Sequence, residues 1–181
     1  MKHYIFEAKT VEEAKEKALK ELNLTEENVI INIKEEKQGL LKKVAKIEVI
    51  NINDAVAHLK DCLNEITSLM NINTNLEVRR RDKNIEIKIF SDQNSILIGK
   101  DGRTLESLQN ILRQILVKEV GDEYKIILDI ENYKEKRIKT LQDVANKKAK
   151  IVEKTGKIIT LEPMQAYERK IIHSFLQENP K

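Results

Sequence analysis

The sequence predicts an α+β protein made of three small modules in series, and three observations carry that prediction. The hydrophobic period switches repeatedly between strand-like alternation and helical spacing. No Gly/Ser/Pro linker or low-complexity stretch interrupts it, so module boundaries fall where the period changes. A length of 181 residues suits one large domain or two to three small ones, because modules of about 50–80 residues also fold. With 40% apolar and 35% charged residues, the chain lies away from disordered compositions.

Several function classes are disfavoured at once. No apolar run approaches the roughly 18 residues of a membrane span, and residues 1–7 lack the apolar core of a signal peptide, so a cytoplasmic protein is expected. A single cysteine, Cys62, excludes an internal disulfide and a thiolate zinc site and is expected in the core. His3, His58 and His173 stand far apart with no carboxylate at ligand spacing, so neither a metal nor a cofactor is expected.

The first module, residues 1–50, reads β-α-β-β. A strand at Tyr4 to Ala8 precedes Thr10-Val11-Glu12-Glu13, a capping box in which Thr10 and Glu13 satisfy each other's backbone donors. Val11, Ala14, Ala18 and Leu22 form the stripe of the helix, and Asn23 stops it. Strands follow at Val29 to Lys34 and Lys43 to Ile50, joined through a turn at Gln38-Gly39.

The second module, residues 54–131, reads α-β-β-α-α-β after a joint of about three residues. Its first helix is capped by Asn53 or Asp54 and striped by Val56, Leu59, Leu63, Ile66 and Met70. Leu76 to Arg81 and Ile85 to Ile89 form a hairpin about Asp82-Lys83-Asn84, with Ile85, Ile87 and Ile89 alternating toward the core. A short helix near Asn94 to Leu97 leads into Gly99-Lys100-Asp101-Gly102. A long helix carrying Leu105, Leu108, Leu112, Ile115 and Leu116 leaves that loop, and a strand at Tyr124 to Ile130 closes the module.

The third module, residues 132–181, reads α-β-α. A helix from Tyr133 is striped by Ile138, Leu141, Ala145, Ala149 and Val152 and stopped by Gly156. A strand at Lys157 to Leu161 then precedes a helix from Met164 to Gln177. A lone strand leaves its backbone groups unpaired, so this module is expected to lack its last strand, in keeping with an end at Asn179-Pro180-Lys181.

Basic charge is concentrated at the C-terminal end. Residues 1–50 carry ten basic and ten acidic side chains, 51–132 eleven and fourteen, and 133–181 twelve and six, giving net charges of 0, −3 and +6. That asymmetry suits a nucleic-acid contact in the third module.

Gly99 and Gly102 bracket the loop that carries the functional argument. Absent side chains let a phosphodiester backbone approach the main chain, and the long helix presents unpaired N–H groups and its positive dipole end there. Lys100 and Arg103 add charge, while Asp101 is expected to cap the helix. A groove between the long helix and the Ile85 to Ile89 strand is expected to hold bases. Taken alone, two glycines in four residues mark an ordinary turn. A phosphoryl-transfer loop needs a longer glycine spacing ending in Lys-Ser/Thr, whereas Gly102 is followed by Arg103-Thr104. No Ser–His–acid or paired-carboxylate signature stands out, so no enzyme is expected.

Within Ile98-Gly99-Lys100-Asp101-Gly102, flanked by two helices in an α-β-β-α-α-β unit, the pattern resembles a type II KH domain. The resemblance implies that Ile98, Gly99, Lys100, Asp101, Gly102 and Arg103 bind single-stranded RNA, or single-stranded DNA. In the last helix Met164, Tyr167, Ile171 and Phe175 are expected to be buried, with Gln165, Arg169, His173 and Gln177 on a polar stripe. Arg169-Lys-Ile-Ile-His173 resembles the Arg-x-x-x-His domain, which implies a second nucleic-acid contact through Arg169 and His173.

The whole chain resembles the bacterial Jag family, also called KhpB, through that loop, through Asp129-Ile-Glu-Asn-Tyr133 and through Pro163-Met164. Over its Jag-N module the likeness rests on Gly39-Leu40-Leu41. The family resemblance implies a cytoplasmic RNA-binding regulator tied to cell elongation, division or sporulation. It also implies self-association or pairing with a smaller KH protein, and a partner in the membrane insertase or division machinery. A protein-interaction adaptor with a structural KH fold is the alternative, supported by the −3 charge of residues 51–132.

Overall fold

The computed structural model describes residues 1–38 and 43–177. Strand β1 (His3–Ala8), helix α1 (Val11–Leu22), β2 (Val29–Gln38) and β3 (Lys43–Asn51) form an antiparallel sheet in the order β1-β3-β2, with α1 packed on it. Ala14 and Ala18 are fully buried with Phe6, Ile47 and Val49, the small side chains letting the helix lie close to the sheet. The Thr10 hydroxyl accepts the Glu13 N–H at 3.1 Å, but the Glu13 carboxylate accepts the Lys9 N–H at 3.1 Å rather than that of Thr10. Asn23 ends the helix with φ of 52°. Strand β2 runs beyond its expected end at Lys34, across a bulge between Ile33 and Glu35. Gly39-Leu40-Leu41 lies outside the described residues.

The expected joint between the first two modules is absent. Helix α2 (Ile52–Leu69) begins directly after β3, and the Asn51 side chain caps it by accepting the Asn53 N–H at 2.9 Å, so the cap is neither Asn53 nor Asp54. Burial decides the matter: Ile52 is fully buried, and the helix must start early enough to turn it inward. The helix buries Ile52, Ala55, Leu59, Leu63 and Thr67, while Met70 at its end is exposed. Cys62 is half-buried, its sulfur 3.7 Å from His58 Nε2, rather than a core residue. Ile30 and Ile50 of the first sheet belong to the same core as Ile52, Leu59 and Leu63. Polar contacts reinforce the seam. Arg80 donates to Asn28 Oδ1 at 2.5 Å, and His3 lies 3.2 Å from Glu48 and 3.3 Å from Glu119.

Strands β4 (Asn75–Arg81), β5 (Asn84–Phe90) and β6 (Lys125–Ile130) form a second sheet, with β4 antiparallel and β6 parallel to the central β5. A parallel pair needs a crossover, which α3 (Asn94–Ile98) and α4 (Arg103–Val120) supply. Ile85, Ile87 and Ile89 are fully buried in one core with Leu105, Leu108, Leu112 and Leu116 of α4.

Helix α5 (Tyr133–Thr155) ends at Gly156, whose φ is 62°, and α6 (Ala166–Gln177) starts two residues later than expected. The expected strand at Lys157 to Leu161 is not formed. Among the described residues no other strand lies alongside to pair with it, and Ile158 is 96% exposed. Leu141, Ala145 and Ile172 make a small core, while Ile138 and Val152 remain exposed. Of the stripe expected on the last helix, Met164, Ile171 and Phe175 are half-buried against that core, while Tyr167 is exposed and Glu168 and Ile172 are the fully inward residues of α6.

The shared core predicts coupled stability. Ile50→Ala should cost about 2–5 kcal/mol, and hydrogen exchange in urea should show β3 and α4 losing protection in one transition. Two separate transitions would mean that the first two modules have independent cores.

Candidate nucleic-acid interface

The loop between α3 and α4 is shaped by the backbone of Gly99, Asp101 and Gly102. Gly99 has φ of 70°, and a Cβ there would fall 2.1 Å from the Thr104 hydroxyl. Asp101 and Gly102 are both left-handed, at φ 54° and 77°, which turns the chain into α4. A Cβ on Gly102 would fall 2.7 Å from the Tyr133 ring. Both glycines therefore admit neighbouring side chains of this protein.

The loop consequently has an outer and an inner side. Lys100 and Arg103 are exposed, with no ion-pair partner among the described residues, beside the N-terminus of α4. Ile98 and Gly99 are half-buried and Gly102 is buried. Asp101 does not cap α4, which has no side-chain cap, because Arg137 holds its carboxylate at 3.0 Å. That guanidinium also donates from Nε to Glu168 at 2.7 Å. Burial alone would lower the affinity of Arg137 for its proton, but the hydrogen bond and charge of Glu168 more than offset it and the net pKa is raised. Burial against the loop pushes the Tyr133 phenol up.

The expected apolar groove over Ile85, Ile87 and Ile89 is not open, since all three side chains are sealed in the core. Polar groups bridge α4 to β6. Gln109 Oε1 accepts the Leu128 N–H at 3.1 Å and the Lys134 ammonium at 2.7 Å. Burial depresses the Lys134 pKa, opposed by Asp129 and Glu106.

Helix α6 brings Arg169 and His173 together. Both are exposed and line one cavity of about 550 Å³ with Leu161, Met164, Ile172 and Leu176. Gln177 lines it too, but Gln165 is half-buried at the helix start, where its N–H donates to Glu168 at 3.2 Å. Sequence reasoning missed Tyr133, Arg137, Gln109, Lys134 and Glu168. The available signals were Tyr133 and Arg137 four residues apart on one helical face, and an acid directly before Arg169.

Comparison with known proteins matches this order of modules. The Jag N-terminus model matches residues 6–50, the KhpA/KhpB KH-domain model residues 57–130, and the Arg-x-x-x-His domain model residues 139–180. The chain is 35% identical over 178 residues to RNA-binding protein KhpB of Clostridium symbiosum, covering 95% of this chain and 80% of that protein. It is 34% identical over 181 residues to RNA-binding protein KhpB of Bacillus subtilis (strain 168), covering 97% of this chain and 87% of the relative. RNA-binding protein KhpB of Lactiplantibacillus plantarum is 31% identical over 125 residues, which is 69% of this chain and 39% of that protein. The two long matches span nearly all of this chain and most of each relative, and on that basis the chain belongs to the KhpB family.

Proposed function

We propose that this protein binds single-stranded RNA through two faces, the outer side of the α3–α4 loop and the Arg169/His173 side of α6, and that it acts by binding rather than by catalysis. The observation that carries the reading is the cavity on α6. A polar rim of Arg169, His173, Gln177 and Glu162 over an apolar floor of Leu161, Met164, Ile172 and Leu176 fits an unstacked base, with the Arg169 guanidinium placed to meet a phosphate. A duplex keeps its bases stacked and cannot offer one to such a floor. Lys100 and Arg103 present a second pair of cations without partners among the described residues. The names of the relatives describe RNA binding and support the reading.

The family resemblance extends the proposal to a regulatory role in cell elongation, division or sporulation, inside the cytoplasm. Among the described residues no helix is long and apolar enough to cross a membrane. Self-association or pairing with a smaller KH protein belongs to the same family-based proposal. An adaptor to a membrane insertase or to division proteins is the second reading. The −3 net charge of residues 51–132 favours it, because that sign opposes RNA.

Substitution of the glycines would confound a test, since side chains there strike Thr104 and Tyr133. The exposed cations are the better targets. Arg169→Ala with His173→Ala should weaken binding of a single-stranded RNA of about 16 nucleotides by roughly 5- to 150-fold, the range for losing one base-stacking or polar contact. Unchanged affinity in the folded variant would sink the role of α6. Lys100→Ala with Arg103→Ala should also lower the slope of log affinity against log salt by about 1 to 1.5, at about 0.7 per phosphate contact. A slope equal to the parent's would remove the loop from the interface.

A further inference from the structure

Arg137 joins the two proposed faces. One nitrogen of its guanidinium is 3.0 Å from Asp101, in the middle of the loop, and another is 2.7 Å from Glu168, the residue before Arg169. Glu168 is completely buried, whereas Asp101 is about one-third exposed. Seating α6 requires only that the buried Glu168 carboxylate be matched, which Arg137 Nε and the Gln165 N–H accomplish. The Asp101 contact is additional to that match and reaches into the loop.

The surroundings favour a fixed linkage. Only Glu131 and Asn132 separate β6 from α5, and both are left-handed, at φ 50° and 56°. The Asn132 N–H donates to Asp129 at 2.9 Å and Asn94 donates to Glu131 at 2.7 Å, tying that corner to α3. Tyr133 packs on Gly102, and Arg137 follows one helical turn later on the same face. The start of α5 is thus docked on the loop, while its Arg137 holds α6.

Resting on the RNA-binding reading, we infer that Arg137 is a positioning residue that fixes the loop and α6 as one composite face, so that a single RNA strand engages Lys100/Arg103 and Arg169/His173 together. Two sites held in register bind a strand long enough to span them with a high effective concentration for the second contact. The same guanidinium neutralises Asp101, the one acid in a loop that meets phosphate.

Asp101→Asn tests this without disturbing the Arg137–Glu168 pair. Removing an acid from a phosphate loop should, by charge alone, tighten every RNA. The composite face predicts the opposite sign for a long strand. Binding of an RNA of about 16 nucleotides should weaken about tenfold, equivalent to one charge-assisted hydrogen bond, while a tetranucleotide, about the span of the loop alone, binds no more weakly than to the parent. Asp101→Glu should restore long-strand affinity. Residual dipolar couplings should fit one alignment tensor for the second and third modules in the parent and two in Asp101→Asn. Equal or tighter long-strand binding by Asp101→Asn overturns the inference, as do two tensors in the parent. A parent chain that binds neither RNA refutes the RNA reading, and the composite face with it, even where the couplings fit one tensor.

Discussion

A carboxylate with no access to water sets the arrangement of the C-terminal half. An unpaired buried charge is far costlier than a misplaced apolar side chain, so α6 must turn Glu168 toward a cation before its apolar residues choose their neighbours. Arg137 is that cation, and its position on α5 dictates the phase of α6. With Glu168 and Ile172 inward, Tyr167 is displaced to the surface and Arg169 and His173 come to the rim of the same cavity. The proposed binding residues are exposed as a consequence of where the ion pair lies.

A second constraint is steric and acts at the other end of the same pair. The α3–α4 loop packs its inner side, Asp101 and Gly102, on Arg137 and Tyr133. Upstream, the absence of any joint at Asn51 merges the first sheet with the core under β4 to β6. The three modules are therefore linked by two seams of different chemistry. An apolar seam lies between the first and second modules, and a seam dominated by charge and one aromatic ring lies between the second and third. Apolar packing tolerates few alternatives once closed, whereas ion pairs that are partly exposed exchange with water and salt more readily.

Most of the elements were legible because their signals are local. Thr10, Asn23 and Gly156 act within one helical turn of themselves, and the alternation of Ile85, Ile87 and Ile89 is complete within five residues. What could not be read was decided by distant partners. Of the expected stripe of α6, Met164, Ile171 and Phe175 do pack on the small core, whereas Tyr167 is exposed and Glu168 takes an inward place because an arginine 31 residues earlier accommodates it. Asp101 likewise looked like a helix cap by position and is instead engaged across the seam. The strand expected at Lys157 to Leu161 has good strand residues but no neighbouring strand among those described, and local propensity cannot supply a ladder.

The two glycines illustrate why a loop pattern and a binding site are separate matters. In this chain each glycine has a packing reason to exist: Thr104 lies against one and Tyr133 against the other. Their presence would be required even if nothing bound. What the loop offers a ligand is narrower, namely the side chains of Lys100 and Arg103 and the start of α4, set in a stretch whose net charge is −3. Two cations there act over a distance comparable to the Debye length of about 8–10 Å, so neighbouring acids blunt them. The +6 charge of residues 133–181 is under no such handicap, and α5 and α6 carry most of it. Long-range attraction for a polyanion therefore belongs to the third module, and orientation of the strand to the loop. That division works only if the two are held in register, which returns the weight of the structure to the guanidinium between Asp101 and Glu168.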